Sequence, residues 1–289
     1  MIRKDYSVIA EDGLELKGTI YYPDNLLSAK AIVQNIHGIN GNIKKDEEIS
    51  ILLAKDGYIV VNLDLRGHGN SIDDKTYFPS YMGTKELLIS DLSISIEKTK
   101  EEYSSLPYYL KGHSFGSEVA RVFLKEHDSE IDKLLLTGTI NKIPILTYIG
   151  YKHSQKIIKN EGELLANDTI NSYIFGRNVD WLSDDSMPSY QNDRKLVRKY
   201  CNNGAGIILQ ITAKLDERFK AQNPGLLILS INGDQDARTG FEKGLESSKK
   251  HLMKNGYYNV SFETVPGGHT LDFSEDSKAL KLIKDFYNK

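Results

Sequence analysis

A single cysteine, Cys201, stands in 289 residues. One thiol cannot close an intrachain disulfide or build a cysteine-rich zinc site, and its isolation fits a reducing compartment. Long apolar runs are missing too: none approaches the ~20 residues a membrane-spanning helix needs. The opening stretch "MIRKDYSVIAEDG" lacks the apolar core of a secretion signal. A soluble, cytoplasmic protein is expected. Excess charge of one sign is also absent, since 37 Lys and Arg face 40 Asp and Glu for a formal net charge of -3. With acids and bases interspersed, there is no electrostatic footprint for nucleic acid or an anionic membrane surface. No H-E-x-x-H and no Cys/His cluster occurs, which disfavours a metal-dependent mechanism.

What is present is an alternation of strand and helix patterns. Two short alternating segments, "DYSVIAE" and "LELKGTIYYP", flank Asp12-Gly13 and predict an opening β-hairpin. The runs "AIVQNIHG", "YIVVNLDLRG", "PYYLKG", "IDKLLLTGT", "GLLILSINGD" and "VSFETVPG" follow. They are too continuously apolar for a sheet wetted on one side and suit strands covered on both faces. Helical patterns lie between them at Ile43 to Asp56, Lys85 to Tyr103, Phe115 to His127 and Phe241 to Asn255, with a last one at Asp276 to Tyr287. This order predicts an α/β fold with an open, mostly parallel central sheet and helices on both faces.

One stretch breaks the alternation. From 141 to 223 no core strand is expected; Gly150, Gly162 and Gly176 punctuate helix-like pieces such as "HSQKIIKNEGELLAN" and "DDSMPSYQNDRKLVRKY". The expected organisation is a core of 1–140 and 224–289, with 141–223 inserted as a helical cap packed on it.

Gly112-His113-Ser114-Phe115-Gly116 matches G-x-S-x-G, a pattern that ordinary glycine and serine usage yields by accident on the order of one time in ten in a chain of this size. Its setting is more informative. A strand pattern runs directly into it and a helix pattern directly out, the context of a nucleophile elbow, in which the sharp turn projects a serine Oγ outward. The alternative for Ser114 is an ordinary helix N-cap. A serine hydroxyl needs a base to take its proton and a third group to orient that base. On such a fold the acid and then the histidine follow the serine in chain order, each after a core strand. "LLILSINGDQDARTG" delivers Asp234 and Asp236, and "VSFETVPGGHT" delivers His269 on a glycine-rich loop. Of the seven histidines, His113 sits in the elbow, His127 near a helix end and His153 in the insertion. His251 is helical, and His37 and His68 precede glycines at strand ends. His269 alone combines a strand end with a position after the acid. Asp236 is preferred to Asp234, which reads as a turn residue bonding its own backbone. Two amides are needed for a developing oxyanion: that of Phe115, next to the serine, and that of Ile39, after "VQNIHG".

In order, "IVQNIHGINGN", "YIVVNLDLRGHGNS", "YYLKGHSFGS", "ILSINGDQD" and "VPGGHT" resemble the α/β-hydrolases of the serine aminopeptidase, lysophospholipase and monoacylglycerol lipase type. "DWLSDD" and "LVRKYCNNGAG" resemble cap segments of bacterial lysophospholipase-like members. The resemblance implies a central sheet, a helical cap, no cofactor, and hydrolysis of carboxylic esters through an acyl-enzyme. Carried over by residue, it makes Ser114 the nucleophile, Asp236 the acid, His269 the base, and Ile39 and Phe115 the oxyanion donors, with Arg66 and His68 as scaffold. The chain departs from the family pattern at Ile39-Asn40-Gly41, where a Met and acidic or histidine-bearing residues are common, and at Ala237-Arg238, where Pro-Val is usual.

The expected substrate is a small-molecule ester, a monoacylglycerol, lysophospholipid or similar single-chain lipid, with transient contact to lipid through the cap. "IPILTYIGY", "INSYIFG" and Trp181-Leu182 are the apolar stretches expected to line an acyl pocket or to pack on the core. An aminopeptidase is a second expectation, with Glu161, Glu163, Asp168 or Asp180 holding a substrate ammonium. A non-catalytic binding protein on the same fold is a third, although a binding module has no use for Ser, Asp and His together. Epoxide and haloalkane hydrolysis require a carboxylate where Ser114 stands.

Overall fold

The computed structural model describes residues 1–72, 80–141, 144–175 and 199–289. Eight strands form one sheet: β1 (Ile2–Ile9), β2 (Glu15–Tyr22), β3 (Ile32–Ile36), β4 (Ile59–Leu63), β5 (Tyr108–His113), β6 (Lys133–Thr137), β7 (Leu227–Gly233) and β8 (Val260–Val265). Their order across the sheet is β1-β2-β4-β3-β5-β6-β7-β8. β1 and β2 make the expected antiparallel hairpin, closing with Ile9 opposite Glu15, and β2 joins β4 antiparallel. From β4 onward every neighbouring pair is parallel. All eight strands legible in the sequence are present.

The continuous apolar runs have a direct cause. Along β6, Leu134 and Leu136 face one core and Leu135 the other, and Ile32 and Val33 of β3 divide the same way. Both faces are dry, so the alternation of a half-wet sheet never appears. One core packs under α2 (Lys85–Glu102) and α3 (Phe115–His127) through Leu88, Leu92, Val119 and Phe123. The opposite core packs under α1 (Glu47–Lys55) and the last helix, Lys278–Asn288, through Ile49, Leu53, Leu280 and Ile283. The region Ile43 to Asp56, expected as one helix, begins as a 3-10 turn at Ile43–Asp46 before α1 proper. There the Asn42 side chain accepts from the Lys44 amide, so the first turn is closed by an Asx bond.

Between β6 and β7 the described residues hold three helices and no strand: α4 (Pro144–Glu161), α5 (Asp168–Phe175) and α6 (Asn202–Lys214). Gly150 was expected to punctuate this region but lies inside α4, where a Cβ would make ordinary contacts with Tyr173 and Leu209 at 3.5 and 3.7 Å. The helix runs through the glycine without a break. Gly176, Asp180, Trp181-Leu182 and most of "DDSMPSYQNDRKLVRKY" lie outside the described residues. α7 (Phe241–Lys254) follows β7, and the last helix is α8.

Candidate active site

Ile39, Ser114, Asp236 and His269 follow the carboxyl ends of β3, β5, β7 and β8, and Phe115 opens the helix after Ser114; this is the side on which an open parallel sheet presents its ligands. Ser114 follows β5 and precedes α3 with φ 55° and ψ -118°. For a residue with a Cβ such a conformation costs on the order of 1–3 kcal/mol and survives only when its surroundings enforce it. Here the Ser114 amide donates to the Thr137 carbonyl at 3.0 Å and its carbonyl accepts from Ser117 at 2.8 Å. A Cβ on Gly112 would stand 2.4 Å from the Gly116 carbonyl oxygen, and one on Gly116 would stand 2.1 Å from that of Ile36. No side chain fits at either glycine, and that closeness bends the chain sharply enough to aim the serine outward. Ser114 caps no amide of α3 with its side chain, so the N-cap alternative does not describe it.

His269 stands at the end of the glycine loop after β8. Its Nε2 is 2.7 Å from Ser114 Oγ and its Nδ1 is 2.7 Å from Asp236 Oδ2. With Nδ1–H donating to the carboxylate, Nε2 is left to accept from the serine hydroxyl. Asp236 is 2 % exposed, and its other oxygen accepts from the Arg238 amide at 3.0 Å. The buried carboxylate is therefore satisfied on both oxygens. Asp234 is exposed and accepts from the Gly267 amide at 3.1 Å. It braces the loop that carries the imidazole, where a bond within its own turn had been expected. Gly138, at φ 54°, leaves room for the ring: a Cβ there would meet His269 Cε1 at 3.0 Å.

Ile39, Ser114 and Phe115 line one cavity of about 780 Å³ together with Leu146, Tyr173 and Ile208 of the three inserted helices. A Cβ on Gly38 would lie 3.0 Å from that of Ser114, so the loop after β3 abuts the serine. Phe115 is the first residue of α3, where an amide has no intrahelical acceptor. His37 fixes the other loop: its Nε2 accepts from the Leu65 amide at 3.0 Å, which leaves Nδ1–H to donate to the Gly38 carbonyl at 2.8 Å. Two charged residues, Glu118 and Arg238, also line the cavity. Glu118 was missed in the sequence; its signal is the i+4 spacing from Ser114, one helical turn on. Arg66 and His68 are buried and are not among the residues that line the cavity. Arg66 makes two bonds to Asp91, at 2.7 and 2.8 Å, and two to Asp12, at 2.9 and 3.4 Å. Among the described residues no group of three or more His, Cys, Asp or Glu is placed to hold a metal.

A family model described as serine aminopeptidase, S33, matches residues 28–254. The chain belongs to this hydrolase family. The match stops short of β8, so His269 lies beyond the matched residues and is picked out by its geometry. An abhydrolase-domain protein of Dictyostelium discoideum, described as uncharacterized, is 27 % identical over 210 residues, 71 % of this chain. The chain spans only 21 % of that relative's length. A thermostable carboxyl esterase from Bacillus coagulans superposes with a TM-score of 0.82 at 18 % identity, covering 100 % of this chain and 97 % of the other. A monoglyceride lipase from Saccharomyces cerevisiae gives 0.71 at 17 % identity, with 100 % and 94 % covered. Likeness at such identities establishes the α/β-hydrolase fold.

The imidazoles that surround the site give the hydrolase an acid liability. Burial depresses the pKa of His37 and pushes that of His68 down to about 3, and both rings are at most 1 % exposed. Burial and then the neighbouring His269 hold His113 well below its ordinary value. Folded, these rings stay neutral; unfolded, they take up protons below about pH 6.5. The unfolded state then binds more protons, so stability that is complete above that pH is lost as pH falls. His68 alone costs about 1.4 kcal/mol per pH unit, roughly 2 kcal/mol by pH 5, and His37 acts in the same direction. Denaturant midpoints measured at pH 7 and pH 5 should therefore drop; equal midpoints would show that these rings do not stay neutral. Among the described residues no helix is long and apolar enough to cross a membrane.

Proposed function

We propose that the chain is a serine hydrolase that cleaves carboxylic esters through an acyl-enzyme, with single-chain lipid esters such as monoacylglycerols or lysophospholipids as its substrates. The observation that carries this reading is the row Ser114 Oγ, His269, Asp236, each link 2.7 Å, on the wall of a largely apolar cavity. In the proposed reaction Ser114 Oγ attacks the ester carbonyl carbon while His269 Nε2 takes its proton, and Asp236 supports the resulting imidazolium. The carbonyl oxygen becomes an oxyanion facing the Ile39 and Phe115 amides. As the tetrahedral species collapses, the bond to the alkoxy oxygen breaks and His269 returns its proton to the departing alcohol. Water, deprotonated by the same imidazole, then attacks the acyl-serine and releases the acid. No cofactor enters this scheme.

The division into a core of 1–140 and 224–289 with a cap of 141–223 belongs to the same proposal. Leu146 of α4, Tyr173 and Phe175 of α5 and Ile208 of α6 line the same cavity as Ser114, which supports a cap over the serine. They come from "IPILTYIGY" and "INSYIFG" and from α6. Ile145, Leu146, Tyr148 and Ile149 are also more than half exposed, which supports the idea of passing contact between cap and lipid.

Chain-length dependence tests the substrate class. Each methylene buried contributes roughly 0.8 kcal/mol, so two more acyl carbons should raise kcat/KM about tenfold until the cavity is full, and not beyond. A p-nitrophenyl ester series from acetate to palmitate reads this directly. A flat profile together with efficient release of aminoacyl-p-nitroanilides would replace the esterase with an aminopeptidase. One observation keeps that second reading in play: Glu118 puts a carboxylate on the cavity wall. Of the acids considered in the sequence, the three among the described residues have other engagements: Glu161 with Asn167, Glu163 with Tyr81 and Asp168 with Lys199.

A further inference from the structure

We propose that Tyr200, which the sequence did not single out, is a positioning residue for the oxyanion site: its hydroxyl ties the inserted region to the turn that carries the Ile39 amide. Tyr200 lies 86 positions beyond Ser114 in the chain and is fully buried. Its hydroxyl accepts from the Asn40 amide at 3.0 Å and lies 2.6 Å from His68 Nε2. His68 Nδ1 is 3.1 Å from the Arg66 carbonyl. Because a carbonyl can only accept, Nδ1 carries the proton and Nε2 accepts from Tyr200. The protons therefore run in one sense, from Asn40 N–H to Tyr200 oxygen and from Tyr200 O–H to His68. Burial keeps the ring of His68 neutral, so that sense does not reverse near neutral pH.

The turn needs to be held. Asn40 has φ 58°, a conformation asparagine tolerates better than most residues but does not prefer. Its side-chain amide is buried with neither its oxygen nor its nitrogen bonded among the described residues. Local chemistry therefore does not account for the shape of Gly38 to Gly41, beyond the Gly41 amide donating to the Gly38 carbonyl at 3.0 Å. Two outside groups supply the rest. His37 holds the Gly38 carbonyl before Ile39, and Tyr200 holds the Asn40 amide after it, so the Ile39 N–H is fixed from both sides. Tyr200 is seated in turn by Asn171 of α5, which accepts from the Tyr200 amide at 2.9 Å and donates to its carbonyl at 2.9 Å. A donor aimed at a charge that exists only during reaction is effective when its direction is set in advance. The chain from α5 through Tyr200 to Asn40 sets it.

This inference rests on the proposed reaction at Ser114 and the role of Ile39 in it, and its test separates failure of the positioning role from failure of that reaction. Tyr200→Phe keeps the ring and removes the bond to Asn40. Its kcat for a p-nitrophenyl ester should fall about tenfold, the size of effect that follows when a buried amide loses its partner, with KM within twofold of the parent. Affinity for an alkyl boronic acid, which becomes a charged tetrahedral adduct on Ser114, should fall by the same factor, a correlation that loosened packing alone would not produce. Asn171→Ala, which unseats the tyrosine without touching its hydroxyl, should lower kcat in the same direction by a smaller factor and decides the matter should Tyr200→Phe not fold. Unchanged kcat and boronate affinity, or a loss confined to KM, overturns the positioning role. Ser114→Ala run alongside identifies the level of failure: if it is inactive while the Tyr200 and Asn171 variants match the parent, only the positioning role falls. If it stays active, the nucleophile assignment falls and the positioning role with it.

Discussion

Ser114→Ala is expected to remove at least ~10³-fold of ester hydrolysis while leaving the sheet and its melting behaviour in place. The side chain is buried in the cavity wall and packs little; its hydroxyl bonds the imidazole and no backbone group of α3. Taking it away deletes the atom that would form the acyl bond and leaves the proposed oxyanion amides and the cavity intact. Residual turnover in the variant then measures what those amides and binding achieve with water alone. A fluorophosphonate should label the parent at Ser114 and fail to label the variant. Cys201 reagents should have little effect, since that thiol is buried and burial raises its pKa. Near-parental turnover in Ser114→Ala would reject the elbow as the nucleophile.

The second large effect belongs to Asp236. Replacing it by asparagine keeps the size of the side chain and turns an acceptor into a group that can present N–H to His269 Nδ1. The ring then favours the proton on Nε2, the wrong nitrogen for accepting from Ser114, and the imidazolium loses its counter-charge. A loss of about 10⁴-fold in kcat is expected near neutral pH. Asp234→Asn should cost far less, because that carboxylate is exposed and bonds the Gly267 amide, which an amide oxygen can also accept. Measuring both variants at one pH ranks the two acids, and the reverse ranking would transfer the role to Asp234.

Much of this arrangement could be read before any coordinates. The strands were legible because a sheet buried on both faces writes unbroken apolar runs, and the elbow because Gly112 and Gly116 meet backbone oxygens that no Cβ could approach. The row of serine, histidine and acid followed from strand ends taken in chain order. Less legible were contacts that depend on how the region after β6 folds back. Glu118 reads as any helical glutamate until α6 is laid beside it, and its bond from Thr212 spans 94 positions. Tyr200 lies in a stretch whose helical spacing says nothing of a tie to Asn40, 160 positions away. Gly150 illustrates the opposite error, a local break signal that falls inside an unbroken helix.

The proposed acid and base ride on the last two strands of the sheet, and β8 is an edge, paired on one side only. Most of its residues are partly or fully exposed, unlike those of β5, which are buried apart from His113. Edges open more readily than centres, on a free-energy scale well below that of global unfolding. Ser114 and its strained turn thus follow a buried interior strand, while the imidazole that would activate the serine hangs from a border paired on one side. A departure of that border would disarm the serine while the strand beneath it stayed paired on both sides, so activity should be lost on heating or in denaturant before the sheet as a whole gives way.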